Sequence, residues 1–292
     1  MAQLFITPDD RLQKIFDTAL PGTVIHLSAG VYRQKAVIRT PGLTVIGAGA
    51  ERSRIVFDDY ARKRESDGFE LITFRSFSLA VCADGVTLKD LSVINDAGDP
   101  KEKGQQVALS VVADGFRMEN CRLSSTQDTL FCGPLPDDLI ERYEGFLPEE
   151  LRRGGKMQQV FQNCRIEGTV DFIFGCGDAR FENCEIRSLS DGRDIGYIAA
   201  PAHEKRQNHG FRFQRCVMTD GGAGEQSVYL ARPWRDHGLC LFEQCTYGPH
   251  IKTEGFHHWD GTQRWRTARF YELPAVDGRV PWVKPAGEDE SQ

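Results

Sequence analysis

The stretch FRMENCRL at 116–123 returns with its pattern kept as VFQNCRIEG at 160–168, RFENCEIRS at 180–188, FRFQRCVMT at 211–219 and LFEQCTYG at 241–248. Each copy places an aromatic or apolar residue before a polar pair and then a cysteine. Those cysteines, Cys121, Cys164, Cys184, Cys216 and Cys245, lie 43, 20, 32 and 29 residues apart, so the core of the repeat is constant while its connections vary. Apolar and polar residues alternate over about six positions in each copy, the period of a half-buried strand. LTVIGAG at 43–49 and VTLKDLSVIN at 86–95 have the same texture without the cysteine. Short strands recurring every ~20–45 residues between glycine-rich bends describe a solenoid whose rungs pair with one another.

The expectation is an all-β chain folded as a right-handed parallel β-helix. The cysteines then stack inward as small buried hydrophobes. An in-register ladder offers poor geometry for pairing them, so free thiols are expected, with disulfides as the alternative for a secreted chain. Pro8-Asp9-Asp10 followed by RLQKIFDTAL and stopped at Pro21-Gly22 reads as a short N-terminal helix with an acidic first turn, capping the open end of the ladder. Residues 133–158, GPLPDDLIERYEGFLPEELRRGGKMQ, break the strand texture and read as an inserted loop, helix-like at LPEELRR. From about Phe270 the chain reads as irregular, lying along the outside of the ladder and fraying in the acidic GEDESQ at 287–292. No linker divides it, so 1–292 is expected to be a single β-helix catalytic domain.

Composition narrows the function. Lys plus Arg is 36 and Asp plus Glu is 42, a net charge of −6 that opposes the gripping of nucleic acid phosphates. No apolar run approaches the ~18 residues that span a bilayer, so no membrane partner is expected, and MAQLFITPDD has no export signature. Nine cysteines without a C-x-x-C pair suggest neither a zinc ribbon nor a dithiol redox site, and fit a reducing compartment. The reading is cytoplasmic, or secreted if a signal peptide has been removed. The 29 glycines against 13 prolines suit many short strands and tight turns.

Common catalytic patterns such as G-x-S-x-G, H-E-x-x-H and the P-loop are missing. What remains lies at strand ends. Asp128 of QDTL is Cys121 + 7 and Asp171 of DFIFG is Cys164 + 7, so equal offsets from equivalent rung positions stack the two aspartates on successive turns, about 4.8 Å apart. A lone Asp at such a place commonly caps a turn. Two in the same phase instead form a pair that resists double ionisation, leaving one acid protonated beside one ionised, which is a device for acid/base and nucleophilic work with a bell-shaped pH dependence. Gln105 and Gln127 add neutral amide donors suited to an oxyanion. Arg232, in YLARPW at 229–234, is a candidate to fork onto a carboxylate, and Trp234 offers a flat face to a sugar; a surface ion pair with a core Trp is the alternative.

With these residues in view, the chain resembles the pectin methylesterases, the pectinesterase family of carbohydrate esterases. The matching segments include GVYRQ at 30–34, LTVIGAG at 43–49, TFRSFSLAVCADG at 73–85, NDAG at 95–98, QQVALSV at 105–111, QDTLF at 127–131, DFIFG at 171–175 and LARPW at 230–234, in the family's order. The resemblance implies a β-helix enzyme acting on methyl-esterified homogalacturonan or its oligogalacturonides, with no metal and no organic cofactor. It implies Asp171 as nucleophile, Asp128 as acid/base, Gln127 and Gln105 as the oxyanion pair, Arg232 as the residue orienting Asp171, and Trp234 and Thr73 as substrate contacts. Four positions depart from the family pattern. Gln34 replaces a Glu, Gly104 a His, Ser110 an Arg, and Ala231 a Gly whose new Cβ threatens the backbone beside Arg232. The inserted loop also lengthens the gap between the aspartates to 43 residues, and is expected to wall one end of the cleft and favour short oligosaccharides. A polygalacturonase or pectate lyase, or a β-helix that has lost activity, are the competing readings. The G-D-D and G-H-G segments of a polygalacturonase are missing, Asn208-His209-Gly210 being the nearest approach.

Overall fold

A computed structural model describes residues 2–66 and 68–285. Its strands form three sheets of eleven, seven and eight strands, every ladder among the described residues pairing parallel and each strand pairing with its counterpart one turn away. This is the right-handed parallel β-helix expected from the repeat. One rung illustrates the path: Phe116–Glu119 in the eleven-stranded sheet, Arg122–Ser124 in the eight-stranded sheet, then Leu130–Cys132 in the seven-stranded sheet.

The repeat differs from its sequence reading in one respect. Each copy is two short strands on different sheets, divided at the residue before the cysteine, rather than one strand of six. That residue, Asn120, Asn163, Asn183, Arg215 or Gln244, has φ of 52–54° and turns the corner. Asparagine reaches this left-handed region at low cost, and alternation of polar residues persists across the bend, which is why the corner is hidden in the pattern.

Behind the corner stand two columns. Phe161, Phe181, Phe213 and Phe242 stack ring on ring at 4.9, 4.7 and 4.5 Å, with interplanar angles of 13° or less. These spacings are those of the strands themselves, so in-register pairing dictates the stack; burying each ring contributes about 2 kcal/mol. Three residues on from each Phe is a cysteine whose thiol donates to a carbonyl of the rung below, as Cys184 does to Phe161 O (3.4 Å) and Cys216 to Phe181 O (3.3 Å). All nine cysteines are free thiols and eight are buried. Burial pushes Cys121 up to about 12 and keeps it protonated.

The N-terminal helix is Leu12–Thr18, with Leu12 and Phe16 buried in the core. Its acids are not in the first turn: Asp10 accepts from Thr7 N (2.8 Å), closing the preceding turn. Gln34 caps the helix, accepting from Leu12 N (2.9 Å) and donating to Asp10 O (2.7 Å), which gives this departure a structural use that an ionised Glu, lacking the donor, would not duplicate. Gln13 pairs its side-chain amide with both the N–H and the C=O of Val37, on the outermost strand of the seven-stranded sheet. The helix therefore does cap an open edge.

Residues 133–158 leave the ladder after Cys132 and return at Gln158. Their helix is Asp137–Arg142, while LPEELRR supplies only the 3-10 turn Glu149–Leu151. Leu135, Leu139, Leu147, Leu151 and Met157 pack with Phe74, Phe131 and Phe174 in a second apolar cluster on the outer face of the seven-stranded sheet. Arg39–Glu150 (2.8 Å) and Arg153–Asp84 (2.6 Å) pin the segment at its margin. At the C-terminus the expectation needs correction, because Arg269–Leu273 is a further rung strand beside Leu239–Glu243, and Phe270 and Trp282 close the apolar column. Its inward residues are Phe270 and Glu272, the latter held by Arg279 (2.8 Å), so a charged residue stands at the position where the other rungs place an apolar one. The tail at 287–292 lies outside the described residues.

Candidate active site

Register places the two aspartates. Phe116 pairs with Gln159, Arg122 with Arg165 and Leu130 with Ile173, a shift of 43 on all three sheets, so Asp128 and Asp171 (171 − 128 = 43) occupy equivalent places on adjacent rungs. The Asp128 N–H donates to Val170 O (3.1 Å), joining the rungs at this point. Both aspartates have positive φ, 64° and 50°, and both are 8% exposed. A bend of this hand at the start of each strand, with a register irregularity between Val170 and Ile173, turns the carboxylates off the sheet. Gly175 of DFIFG closes the strand where a Cβ would stand 2.1 Å from Cys132 O.

The environments of the two acids differ. Arg232 forks onto Asp171, Nε to Oδ1 at 2.8 Å and Nη2 to Oδ2 at 2.5 Å. Its guanidinium lies between the rings of Tyr197 and Trp259, 3.8 and 4.0 Å from their centroids. Such a sandwich fixes the plane of the fork and keeps the ion pair from loosening into solvent. Arg232 reaches down to Asp171 across the face of Tyr197, which stands on the rung between them. Asp128 has no such fork. Burial, then the neighbouring Asp171 carboxylate, raise its carboxyl well above the usual range, against the smaller opposing effects of Arg232, Gln127 and Arg193. The two acids are thus unlike: the Arg232 fork favours the carboxylate form at Asp171, while burial and that neighbour favour the protonated form at Asp128.

Around the pair, the Gln106 N–H donates to Gln127 O (3.0 Å), placing the glutamine segment on the rung below Asp128. Gln106 is fully buried and its amide donates to Gly98 O (2.9 Å), leaving the half-buried Gln105 as the outward amide of the two. Gln127 is half-buried, hydrogen-bonded to the Asp128 carboxyl, and receives Arg193 Nη1 on its Oε1 at 3.0 Å. Trp234, half-buried, meets the Phe174 ring edge-on at 5.8 Å. Thr73 starts the 3-10 turn Thr73–Arg75, whose Phe74 packs on Phe131 (5.3 Å) and Phe174 (6.4 Å). That anchors the turn over the outer face bearing the site.

The departures are accommodated. Ala231 is buried and its Cβ points into the core, while Arg232 N still donates to Ala199 O (3.0 Å), so the methyl leaves the arginine's register intact. Gly104 ends the helix Pro100–Lys103 at φ 78°, a conformation that strains a histidine. Ser110 is buried between Ala80 and Phe131, under the inserted segment, where an arginine would lose its water.

Sequence reasoning missed Tyr197, Trp259, Arg193, Asp191 and Thr169. A signal for the first existed: GYIAA at 196–200 and VYLAR at 228–232 are themselves a repeat, with Tyr197 paired to Tyr229. Trp259 sits at φ 63° in an irregular loop that carries no periodic signal. Beside it, His257, His258 and Asp260 hold ligand atoms within 4.8 Å of one another; the His258–Asp260 contact at 3.1 Å and the hydrogen bond of His257 Nδ1 with the Tyr197 hydroxyl (3.3 Å) account for the grouping as a polar contact and a ring support. A cavity of about 500 Å³ near Leu135, Met157, Cys176 and Glu204 shares no lining residue with the aspartate pair.

Comparison with known proteins places this geometry in context. The family model described as Pectinesterase matches residues 4–134 and 155–279. Pectinesterase 31 of Arabidopsis thaliana is 31% identical over 282 residues, 92% of this chain and 80% of that protein. The carrot pectin methylesterase structure superposes with a TM-score of 0.79 at 25% identity, covering 97% of this chain and 86% of that one. A pectin methylesterase solved in complex with a hexasaccharide has the same fold, with a TM-score of 0.76 at 21% identity over 96% of this chain and 90% of that one. Among the described residues no helix is long and apolar enough to cross a membrane.

Proposed function

This chain belongs to the pectinesterase family, and from that premise we propose that it hydrolyses the C6 methyl ester of galacturonate units in pectin or methylated oligogalacturonides, releasing methanol. The observation carrying this reading is the polarised pair: stacked aspartates of which one alone is forked by a ring-clamped arginine.

The ionised Asp171 carboxylate attacks the ester carbonyl carbon, and the negative charge moves to the carbonyl oxygen. The side-chain amides of Gln127 and Gln105 donate to that oxyanion; as neutral donors they stabilise charge only once it appears. Collapse breaks the bond to the methoxy oxygen, and Asp128 supplies the proton that lets it leave as methanol. An acid anhydride between Asp171 and the sugar remains. Asp128, now a carboxylate, takes one proton from a water whose oxygen attacks the sugar carbonyl of the anhydride; Asp171 leaves as a carboxylate, and the galacturonic acid formed gives its remaining proton to solvent. Trp234 and Thr73 form walls for the sugar chain.

Methanol release by the wild type against Asp171→Asn and Asp128→Asn tests the assignment. A loss of about 10³-fold or more is expected for each, without new reducing ends or unsaturated products in the wild type; full activity in both variants would end it.

The inserted segment supports a preference for short substrates, since it builds on the same apolar patch that backs Trp234 through Phe174. Turnover of methylated trigalacturonate should exceed that of high-ester pectin, and equal or better turnover of polymer would sink the preference. The nine unpaired thiols support a cytoplasmic, reducing setting. Recovery of a tagged native gene product outside the source cells would remove that placement.

A further inference from the structure

Successive rungs next to the site are not equally long. From Arg165 to Glu185 the repeat is 20 residues, yet from Ile173 to Ala199 it is 26, so six extra residues (26 − 20 = 6) enter between Leu189 and Gly196. This enlarged turn carries Asp191 and Arg193. The Asp191 side chain is 5% exposed and accepts from Arg193 Nε on both oxygens at 3.0 Å, from the Arg193 N–H at 3.1 Å, and from Nη2. Against the burial that would raise it, the Arg193 guanidinium and Thr169 hydroxyl hold the Asp191 carboxyl below its usual range.

So anchored, the guanidinium reaches back over two rungs. Nη2 meets Thr169 Oγ1 at 3.3 Å on the Asp171 rung, and Nη1 donates to Gln127 Oε1 at 3.0 Å on the Asp128 rung. An amide has two ends, and only the nitrogen end serves an oxyanion. A cation on Oε1 excludes the flipped rotamer and draws electron density from Nε2–H, strengthening it as a donor. Without that contact Gln127 sits half-buried beside a carboxyl that can accept from its N–H₂ or, when protonated, donate to its Oε1.

We propose that Arg193, braced by Asp191 and Thr169, is a positioning residue that locks the Gln127 amide with its N–H₂ toward the reacting carbonyl. The proposal rests on the oxyanion role given to Gln127 above. The enlarged turn is then the device by which this chain supplies an arginine to a site two rungs away.

Methanol-release kinetics of Arg193→Ala, Arg193→Met, Gln127→Ala and the Arg193→Ala/Gln127→Ala double variant test it. Arg193→Ala is expected to lower kcat about 10- to 100-fold with KM within about twofold. In the Gln127→Ala background the same change should cost less than about twofold, because its effect passes through Gln127. A merely structural arginine would lower both backgrounds alike, and that additive outcome overturns the proposal. So does full activity in Arg193→Ala while Gln127→Ala is impaired, which leaves the role of Gln127 standing. Full activity in Gln127→Ala instead removes the oxyanion reading and this proposal with it. Arg193→Met keeps the aliphatic stem, and carries the same expectation should the alanine variant fold poorly.

Discussion

The ladder turns through left-handed backbone at two kinds of corner, one beside the cysteines and one at the stacked aspartates of the candidate site. At the first, Asn120, Asn163, Asn183, Arg215 and Gln244 are exposed, and their N–H groups donate to Gln162, Glu182, Gln214, Glu243 and Leu273 at 2.7–3.1 Å. At the second, Asp128 uses its N–H in the same way toward Val170, but its side chain and that of Asp171 are buried. The backbone device is common to both. It carries the hydrogen bonds of the ladder around a bend and leaves the side chain free of the sheet. What separates the corners is where that side chain goes: into water, where almost any polar residue serves, or into a crowded cleft, where two carboxylates compete for one proton. A buried carboxylate pair can therefore arise on an ordinary structural bend by choice of side chain alone.

The sharpest contrast lies in activity. Asp171→Asn should abolish methanol release, whereas Asn163→Asp, the reverse exchange at the other corner, should leave kcat within about twofold, because an exposed carboxylate there meets no partner acid. An Asn163→Asp variant as crippled as Asp171→Asn would break the comparison.

A smaller effect concerns pH and stability. The Asp128 carboxyl titrates above its unfolded value, so between the two the native state binds more protons than the unfolded chain, and stability falls as pH rises through that window. Asp128→Asn removes the slope, so at neutral pH its Tm should exceed that of the wild type by about 2–4 °C, as differential scanning calorimetry across pH would register. Methanol release by the wild type should decline over the same alkaline limb as Asp128 loses the proton it must give to methanol. An unchanged or lower Tm for Asp128→Asn would show that the buried carboxyl is not held at a cost.

The smallest effect is at the cysteine corner itself. Asn163→Ala should lower stability by about 1 kcal/mol, the cost of a Cβ in the left-handed region. Asn163→Gly should stay within a few tenths, as urea midpoints would record, with activity unchanged in both. Equal losses for Ala and Gly would mean that the side chain matters more than the bend.

How much of this was legible in the chain follows from the same comparison. The cysteine corner repeats five times with small residues at fixed offsets, and the fold follows from it, down to the 43-residue phase that stacks Asp128 on Asp171. The division of each repeat into two strands stayed hidden because alternation continues through the bend. Arg232 was readable as a fork, yet its clamp was not: Tyr197 lies on the neighbouring rung, in register with Tyr229, and Trp259 lies in an irregular loop. Arg193 could not be found by local pattern at all. Its contact with Gln127 spans 66 residues and depends on how far an enlarged turn folds back. The strand at Arg269–Leu273 was missed because prolines follow it and because the buried Glu272 breaks the apolar alternation that marks the other rungs.

The segment at 133–158 shows what such a ladder permits over evolutionary time. The family model stops at 134 and resumes at 155, and the three sheets keep one common shift of 43 across the interval. Lengthening a connection raises loop-closure entropy only slowly, about 0.6 kcal/mol per doubling, and this one recovers far more by covering Phe74, Phe131 and Phe174. Each connection between rungs is thus a port at which new chain can be grafted without renegotiating the register of anything below it. A library of segments exchanged at Gly133 and Gln158 would redraw the rim of the cleft while the aspartates keep their places.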